Sequence, residues 1–254
     1  MARLLVGTSG WQYRSWRDRF YPPKLPSRRW LEYYSHEFPV VELNTTFYGL
    51  PAIASVARWA EQTPEGFCFA AKMSRYLTHI RRLRDPEGPV ALWFEHLAPL
   101  GARLGPVLFQ LPPDLEAVPD RLDAAFAACP RGVRLVVEPR HPSWFTDELR
   151  DVLTRHGAVL CAADRRSQMR SPLWRTSDWG YVRLHEGRSH PLPCYGEAAL
   201  RAWAARIDAT WGEDEDVFVF FNNDPQACAP RNARELAELA SRLPAHRVWN
   251  NDRA

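Results

Sequence analysis

The sequence predicts an α/β fold of the (β/α)8 TIM-like barrel type, and three observations predict it. Eight short apolar, β-branched or aromatic runs recur along 254 residues. Helix-spaced segments separate most of them, and polar residues stand in pairs where several runs end. Strands that alternate with helices pair in parallel through right-handed crossovers, and eight such units fill a chain of about 250 residues. No low-complexity tract, charge run or flexible linker divides the sequence, so 1–254 reads as a single TIM-like barrel domain. An open doubly wound sheet is the competing architecture. It ordinarily carries a glycine-rich phosphate turn after its first strand, whereas the turn here is Gly7-Thr8-Ser9-Gly10-Trp11, without a third glycine or a Gly-Lys-Ser/Thr.

The strands are expected over 4–8, 40–44, 67–72, 106–111, 134–140, 158–164, 180–185 and 216–223. Between them, Trp30, Tyr33, Tyr34 and Phe38 fall at i, i+3, i+4, i+8, and Leu200, Trp203, Ala204 and Ile207 at i, i+3, i+4, i+7, the spacing of one helical face. Further helices are expected over 54–61, 92–104, 119–129, 147–156 and 229–243. After the sixth strand the helix is expected to be short or missing, because Ser171-Pro172-Leu173-Trp174 is poor helix material. Gly132 and Gly157 stand where helices stop, and Ser27 and Asp147 where they are capped.

Composition narrows the class. Apolar residues at 46% and charged residues at 25% describe a globular chain. The longest apolar run, Val217-Phe218-Val219-Phe220-Phe221, falls far short of the ~20 residues of a membrane helix. A formal charge of +3 is too small for a surface that coats nucleic acid. Five widely spaced cysteines without a Cys-x-x-Cys signal neither a zinc knuckle nor a disulfide framework. Reduced thiols, with an N-terminus that reads as a strand rather than a signal peptide, point to the cytoplasm. Only Lys24 and Lys72 among 33 basic residues are lysine, so Lys72 at a strand end suits a role that needs an amine or a compact charge. A dimer would draw on surface tryptophans such as Trp211 or Trp249.

Strand alternation locates the chemistry. Glu42 and Asn44 share one face of their strand, Glu138 and Arg140 one face of theirs, and Arg183 and His185 one face of a third, each with apolar neighbours opposite. Charge on an inner face costs several kcal/mol unless paired, and barrel enzymes keep catalytic groups at strand C-termini. Lys72, Gln110, Asp164 and Asn222 also end strands. Trp11, Tyr13, Trp16, Phe47, Tyr48 and Trp144 stand just beyond strand ends, where rings wall a pocket or pack in the core.

These residues lie in recognisable motifs. Gly7-Thr8-Ser9-Gly10-Trp11, Glu42-Leu43-Asn44-Thr45-Thr46-Phe47-Tyr48, Gly105-Pro106-Val107-Leu108-Phe109-Gln110-Leu111-Pro112-Pro113, Glu138-Pro139-Arg140-His141-Pro142-Ser143-Trp144, Tyr181-Val182-Arg183-Leu184-His185 and Phe221-Asn222-Asn223-Asp224 resemble the YecE-like family, domain of unknown function 72. The resemblance runs over about residues 4–240. It implies a TIM-like barrel, suggests similarity to barrel endonucleases of the endonuclease IV type, and settles no reaction. Carried over by position, it adds Tyr48, His141 and Asn223 to the site. His185-Glu186-Gly187 departs from the family's His-Gly and implies a rebuilt loop there.

The expected function is an enzyme, a hydrolase or an isomerase or lyase, that grips a small anionic molecule. Glu42, Lys72, Glu138 and His185 are its expected catalytic residues. Asn44, Tyr48, Gln110, Arg140, His141, Arg183, Asn222 and Asn223 are expected to bind substrate. No cofactor is predicted. A second reading is a metal-assisted phosphodiesterase, with a divalent ion among Glu138, Asp164 and His185 and nucleic acid on Arg81-Arg82-Leu83-Arg84. A third is a non-catalytic binding barrel.

Overall fold

A computed structural model describes residues 3–212, 214–243 and 247–248; Trp249 lies outside them. Among the described residues the strands are β1 (Arg3–Thr8), β2 (Val40–Leu43), β3 (Cys68–Lys72), β4 (Leu104–Gln110), β5 (Leu135–Glu138), β6 (Val159–Leu160), β7 (Ala162–Asp164), β8 (Trp179–Leu184), β9 (Asp216–Phe221) and β10 (Arg247–Val248). The α-helices are α1 (Trp30–Glu37), α2 (Thr45–Tyr48), α3 (Ile53–Glu61), α4 (Glu87–Leu97), α5 (Pro119–Ala127), α6 (Asp147–Arg155), α7 (Glu197–Thr210) and α8 (Cys228–Ala240). The chain groups into two compact units, one of Met1–Glu42, Ala162–Leu173 and Asp178–Ala254, the other of Leu43–Cys161 and Trp174–Ser177.

In the first unit the order β2-β1-β9-β8-β7 is parallel throughout, with β10 also on β1. Both faces of β1 and β8 are buried, as a parallel sheet requires. Tyr34 on α1 fixes the β1 end: its hydroxyl accepts from the Thr8 backbone N–H at 2.9 Å and donates to the Val40 carbonyl at 3.0 Å. Gly7 is confined to glycine by that closeness, since a Cβ there would lie 2.1 Å from the Val40 oxygen. A ring cluster under α1 completes the packing, with Tyr21 and Trp30 stacked at 4.5 Å and 8°. Gly180 on β8 abuts Trp211 just after α7; a Cβ would meet the indole Cε2 at 2.3 Å. Trp211 is therefore core rather than a dimer surface.

The second unit carries the parallel order β3-β4-β5-β6. Its register sets Gln110 level with Glu138, and Lys72 level with Leu108, two residues short of Gln110. Helix α6 is capped by Thr146, whose Oγ1 accepts from the Leu149 N–H, rather than by Asp147, which becomes its first residue and complements the helix dipole. Ser27 belongs to a 3-10 turn leading into α1. Gly157 (φ 57°) adopts the left-handed conformation just past the end of α6, whereas α5 ends at Ala127 and Gly132 (φ 83°) lies in a separate turn beyond it.

Three further expectations change. The expected sixth strand divides at Cys161, because Val159–Leu160 pairs with β5 and Ala162–Asp164 with β8. Helix α4 begins at Glu87 and stops at Leu97, and Gly101, at φ 52°, breaks the turn that follows. Cys194 and Cys228 form a disulfide, joining the segment before α7 to the first residue of α8. No spacing motif announces it, since the fold alone brings those Cα atoms within 5.0 Å. This removes reduced cysteine as an argument about compartment. As expected, no helix forms between β7 and β8, and among the described residues no helix is long and apolar enough to cross a membrane.

Candidate functional site

The strand-end residues gather into one cluster in each unit. In the first unit Glu42, fully buried on β2, is the hub. Its Oε1 accepts from Ser9 Oγ at 2.8 Å and from Arg183 Nη2 at 2.8 Å, and its Oε2 accepts from the Tyr181 hydroxyl at 2.6 Å. Arg183 is itself only 1% exposed, so its guanidinium is committed to Glu42 and not turned to solvent. Charge-assisted bonds of this length, shielded from water, are strong and fix geometry.

Asp224 stands next to this hub. The Tyr13 hydroxyl, which donates to the Ser9 carbonyl at 2.5 Å, is also hydrogen-bonded to Asp224. Burial, followed by the negative charge of Glu42, pushes the Asp224 carboxyl up to about 7, against the opposing pull of Tyr13 and Arg183. Its buried Oδ1 accepts no hydrogen bond from the described residues. Asp164, at the end of β7, accepts from the Tyr195 hydroxyl at 2.6 Å, and burial holds its carboxyl above the usual range. The His185 backbone N–H donates to the Asp164 carbonyl, and its Nδ1 meets the Asn222 amide at 3.2 Å. Asn223 ties loops together through its amide nitrogen. Its amide donates to Asn232 at 2.9 Å and to the Pro193 carbonyl at 3.2 Å.

In the second unit the network is a chain rather than a hub. Lys72 Nζ donates to Gln110 Oε1 at 2.6 Å, and Gln110 Nε2 donates to Glu138 Oε1 at 2.9 Å. Arg140 reaches that same oxygen through Nε and Nη2, both at 3.4 Å, the long limit of a hydrogen bond. Its side chain is 43% exposed. The Cys161 thiol lies 3.9 Å from Glu138 Oε2. Lys72 Nζ also stands 3.7 Å from the centre of the Phe47 ring, whose edge packs on His79. Burial, then Lys72, Arg140 and Arg75, lower the His79 imidazole to about 4. This histidine is thus neutral at physiological pH, and its depression registers the positive potential of the cluster.

The remaining expected residues divide. Asn44 is half-buried at the start of α2, whereas Tyr48 on the same helix is 81% exposed. His141 caps the short turn Pro142–Trp144, its Nδ1 paired with Ser143. Trp11, Trp16, Phe47 and Trp144 are buried core, so most of the strand-end rings do not wall an open pocket. Sequence reasoning missed Ser9, Tyr181 and Asp224. Tyr181 was within its reach, since alternation puts Tyr181 on the face of Arg183 and His185.

A model of the family "Protein of unknown function DUF72" matches residues 5–251. This chain belongs to the DUF72 family. UPF0759 protein YunF of Bacillus subtilis is 26% identical over 269 residues, covering 93% of this chain and 94% of YunF. The crystal structure of a DUF72 family protein from Thermotoga maritima superposes with a TM-score of 0.81 at 25% identity, covering 94% of this chain and 99% of that one. A fusion protein described as xylose isomerase-like TIM barrel/4-hydroxyphenylpyruvate dioxygenase superposes at 0.51 with 16% identity, over 95% of this chain and 43% of that one. The fold is the expected α/β TIM-like barrel.

Within this DUF72 chain the basic loop after β3 is largely neutralised: Arg81 pairs with Asp85, and Arg82 with Asp114 at 2.9 Å. Among the described residues no three His, Cys, Asp or Glu side chains converge as a metal-ligand group. Two kinds of chemistry are open to the clusters. The first unit holds a carboxyl raised to about 7, and the second holds a lysine and a partly exposed arginine around one glutamate.

Proposed function

We propose that this DUF72 protein is an acid–base enzyme that takes a small phosphate- or carboxylate-bearing substrate at the ends of β3, β4 and β5. Lys72 and Arg140 grip the anion, Gln110 orients it through its amide, and Glu138 exchanges the proton. The observation that carries this reading is the imbalance of the second-unit cluster. Lys72 and Arg140 flank one carboxylate of this chain, Glu138, and Arg140 holds it only at 3.4 Å. A forked guanidinium held so loosely is able to turn to a bidentate anion. The neutral His79 imidazole beside it offers a hydrogen bond without adding charge. Glu42 and Arg183 serve as positioning residues that hold the ends of β2 and β8.

Titration with inorganic phosphate and with malonate, followed by calorimetry, tests the reading. Saturable binding of at least one of them is expected, weakened tenfold or more by Lys72→Met and by Arg140→Gln. Glu138→Gln is expected to retain or strengthen it by removing the competing carboxylate. Equal anion binding by wild type and Arg140→Gln, or no binding by wild type, overturns the proposal. Arg140 is half-exposed, so its substitution leaves the fold intact even if Lys72→Met does not.

A further inference from the structure

The exposed apolar side chains of this chain are not scattered. Among the described residues, Tyr48, Leu50, Ile53, Tyr76, Ile80, Leu92 and Leu192 are the large hydrophobics turned to solvent, and five of these seven come from two short segments, 48–53 and 76–80. Single exposed apolar residues are ordinary, whereas a concentration of them marks a binding surface. Both segments adjoin the end of β3, where Lys72 stands.

Buried contacts fix them there. Thr46, on α2, donates its hydroxyl to the Lys72 carbonyl at 2.7 Å. The next residue, Phe47, is buried against the lysine, with Nζ 3.7 Å from its ring centre. The same ring meets Tyr48 at 5.1 Å and 87°, and His79 at 4.9 Å and 81°. His79 belongs to the turn Tyr76–Ile80, which Thr78 pins from within by donating its hydroxyl to the Ser74 carbonyl at 3.0 Å. One buried ring therefore ties two exposed apolar lips and the amine to a single frame. Tyr48 remains 81% exposed, so its edge-on contact with Phe47 leaves at least one broad face of the phenol open. Beyond it, a Cβ at Gly49 would meet nothing within 4 Å.

We propose that the anion taken at Lys72 and Arg140 carries a planar aromatic or heteroaromatic ring a few bonds from its phosphate or carboxylate, and that Tyr48 receives this ring, with the turn Tyr76–Ile80 as a second wall. The inference rests on the anion site proposed above and names the kind of molecule that site selects. The Tyr48 ring lies no farther from Lys72 Nζ than the two spacings through Phe47 taken together, so a ring on a short linker spans the gap. A flat ring makes the offset-stacked or edge-to-face contact that an aliphatic group of similar size does not. Because α2 is held to β3, the platform is in place before the ligand arrives, and little ordering is lost on binding.

Pairs of anions that differ only in a ring test this by calorimetry on the full chain: methyl phosphate against phenyl phosphate, and malonate against phenylmalonate. Wild type is expected to bind the ring-bearing member of at least one pair ~2–10-fold more tightly, the gain a single aromatic contact supplies. Tyr48→Ala is expected to bring that ratio close to one with an unchanged melting temperature, since the side chain is exposed. Tyr48→Phe is expected to keep the ratio, and Arg140→Gln to weaken both members of a pair together without altering it. Cyclohexyl phosphate, which lacks a flat face, is expected to bind less tightly than phenyl phosphate. A ratio near one in wild type, a ratio that survives Tyr48→Ala, or cyclohexyl phosphate matching phenyl phosphate overturns the proposal. A ratio near one in a wild type whose dimer is dispersed by Tyr48→Ala overturns it in favour of a protein interface. Failure of the anion site shows differently, as binding of neither methyl phosphate nor malonate, or as affinities that Arg140→Gln leaves unchanged, so the two readings separate.

Discussion

The Glu42 hub and the Lys72 chain use nearly the same residue types to opposite ends. At the hub, Ser9, Tyr181 and Arg183 converge on one carboxylate at 2.6–2.8 Å and seal it from water. Along the chain, one carboxylate is shared by Gln110 at 2.9 Å and by a half-exposed Arg140 at 3.4 Å, with Lys72 held on Gln110 behind it. A saturated ion pair resists being broken but has little left to offer a ligand. A cluster with unbalanced charge is the reverse: it adds little to stability and keeps an attraction in reserve. The same kinds of side chain are therefore sealed in one unit and partly open in the other, and the distinction lies in how short and how enclosed the bonds to each carboxylate are.

The contrast is easiest to break at Arg183. Arg183→Leu leaves Glu42 charged and buried, and is expected to cost ~3–5 kcal/mol in urea unfolding, with much of it recovered in Glu42→Leu/Arg183→Leu. A loss below ~1 kcal/mol, the range of exposed pairs, would show that the hub is not the scaffold described. Next in size is the disulfide of the same unit. A closed loop spanning a sequence separation of 34 corresponds to roughly 3–4 kcal/mol on the chain-entropy account, to be read from the melting of Cys194→Ala/Cys228→Ala.

Asp224 sharpens the comparison through pH. Its carboxyl sits at about 7 in the folded chain, against ~3.9 unfolded. The folded state therefore binds more protons between these values, and stability falls as pH rises from about 4 to about 7. The contribution is on the order of a few kcal/mol, fully present below pH ~4 and lost through the folded value. Asp224→Asn should flatten that part of the profile; a slope identical to wild type would contradict the assignment. His79 works with the opposite sign, because its folded value of about 4 makes the unfolded chain the better proton binder below ~6.5. The smallest expected effect is that of Arg140→Gln, which should change stability by no more than ~1 kcal/mol, as exposed pairs do. A cost matching that of Arg183→Leu would erase the difference between the clusters.

Period-two alternation was enough to find Glu42, Glu138 and Arg183 from sequence, because a charged residue set between apolar neighbours on a buried strand must face a polar interior. Alternation could not say which charge would meet which. Glu42 and Arg183 are 141 positions apart, and only the strand order makes them partners. Asp224 escaped because it lies beyond β9 in a turn, where no period applies. Its behaviour comes from burial against Glu42 and Tyr13. The Cys194–Cys228 bond was hidden for the same reason: pairing between turns is a property of tertiary geometry, and spacing along the chain does not report it.

The tight fit between Gly180 and Trp211 makes these two positions a single unit of variation. With only 2.3 Å between a β-carbon at Gly180 and the indole, Gly180→Ala alone is intolerable in this backbone, and Trp211→Ala alone leaves a void. A compensatory exchange, a small side chain gained on β8 together with a smaller ring after α7, keeps the volume constant. Relatives that carry a side chain at the first position are accordingly expected to have given up tryptophan at the second.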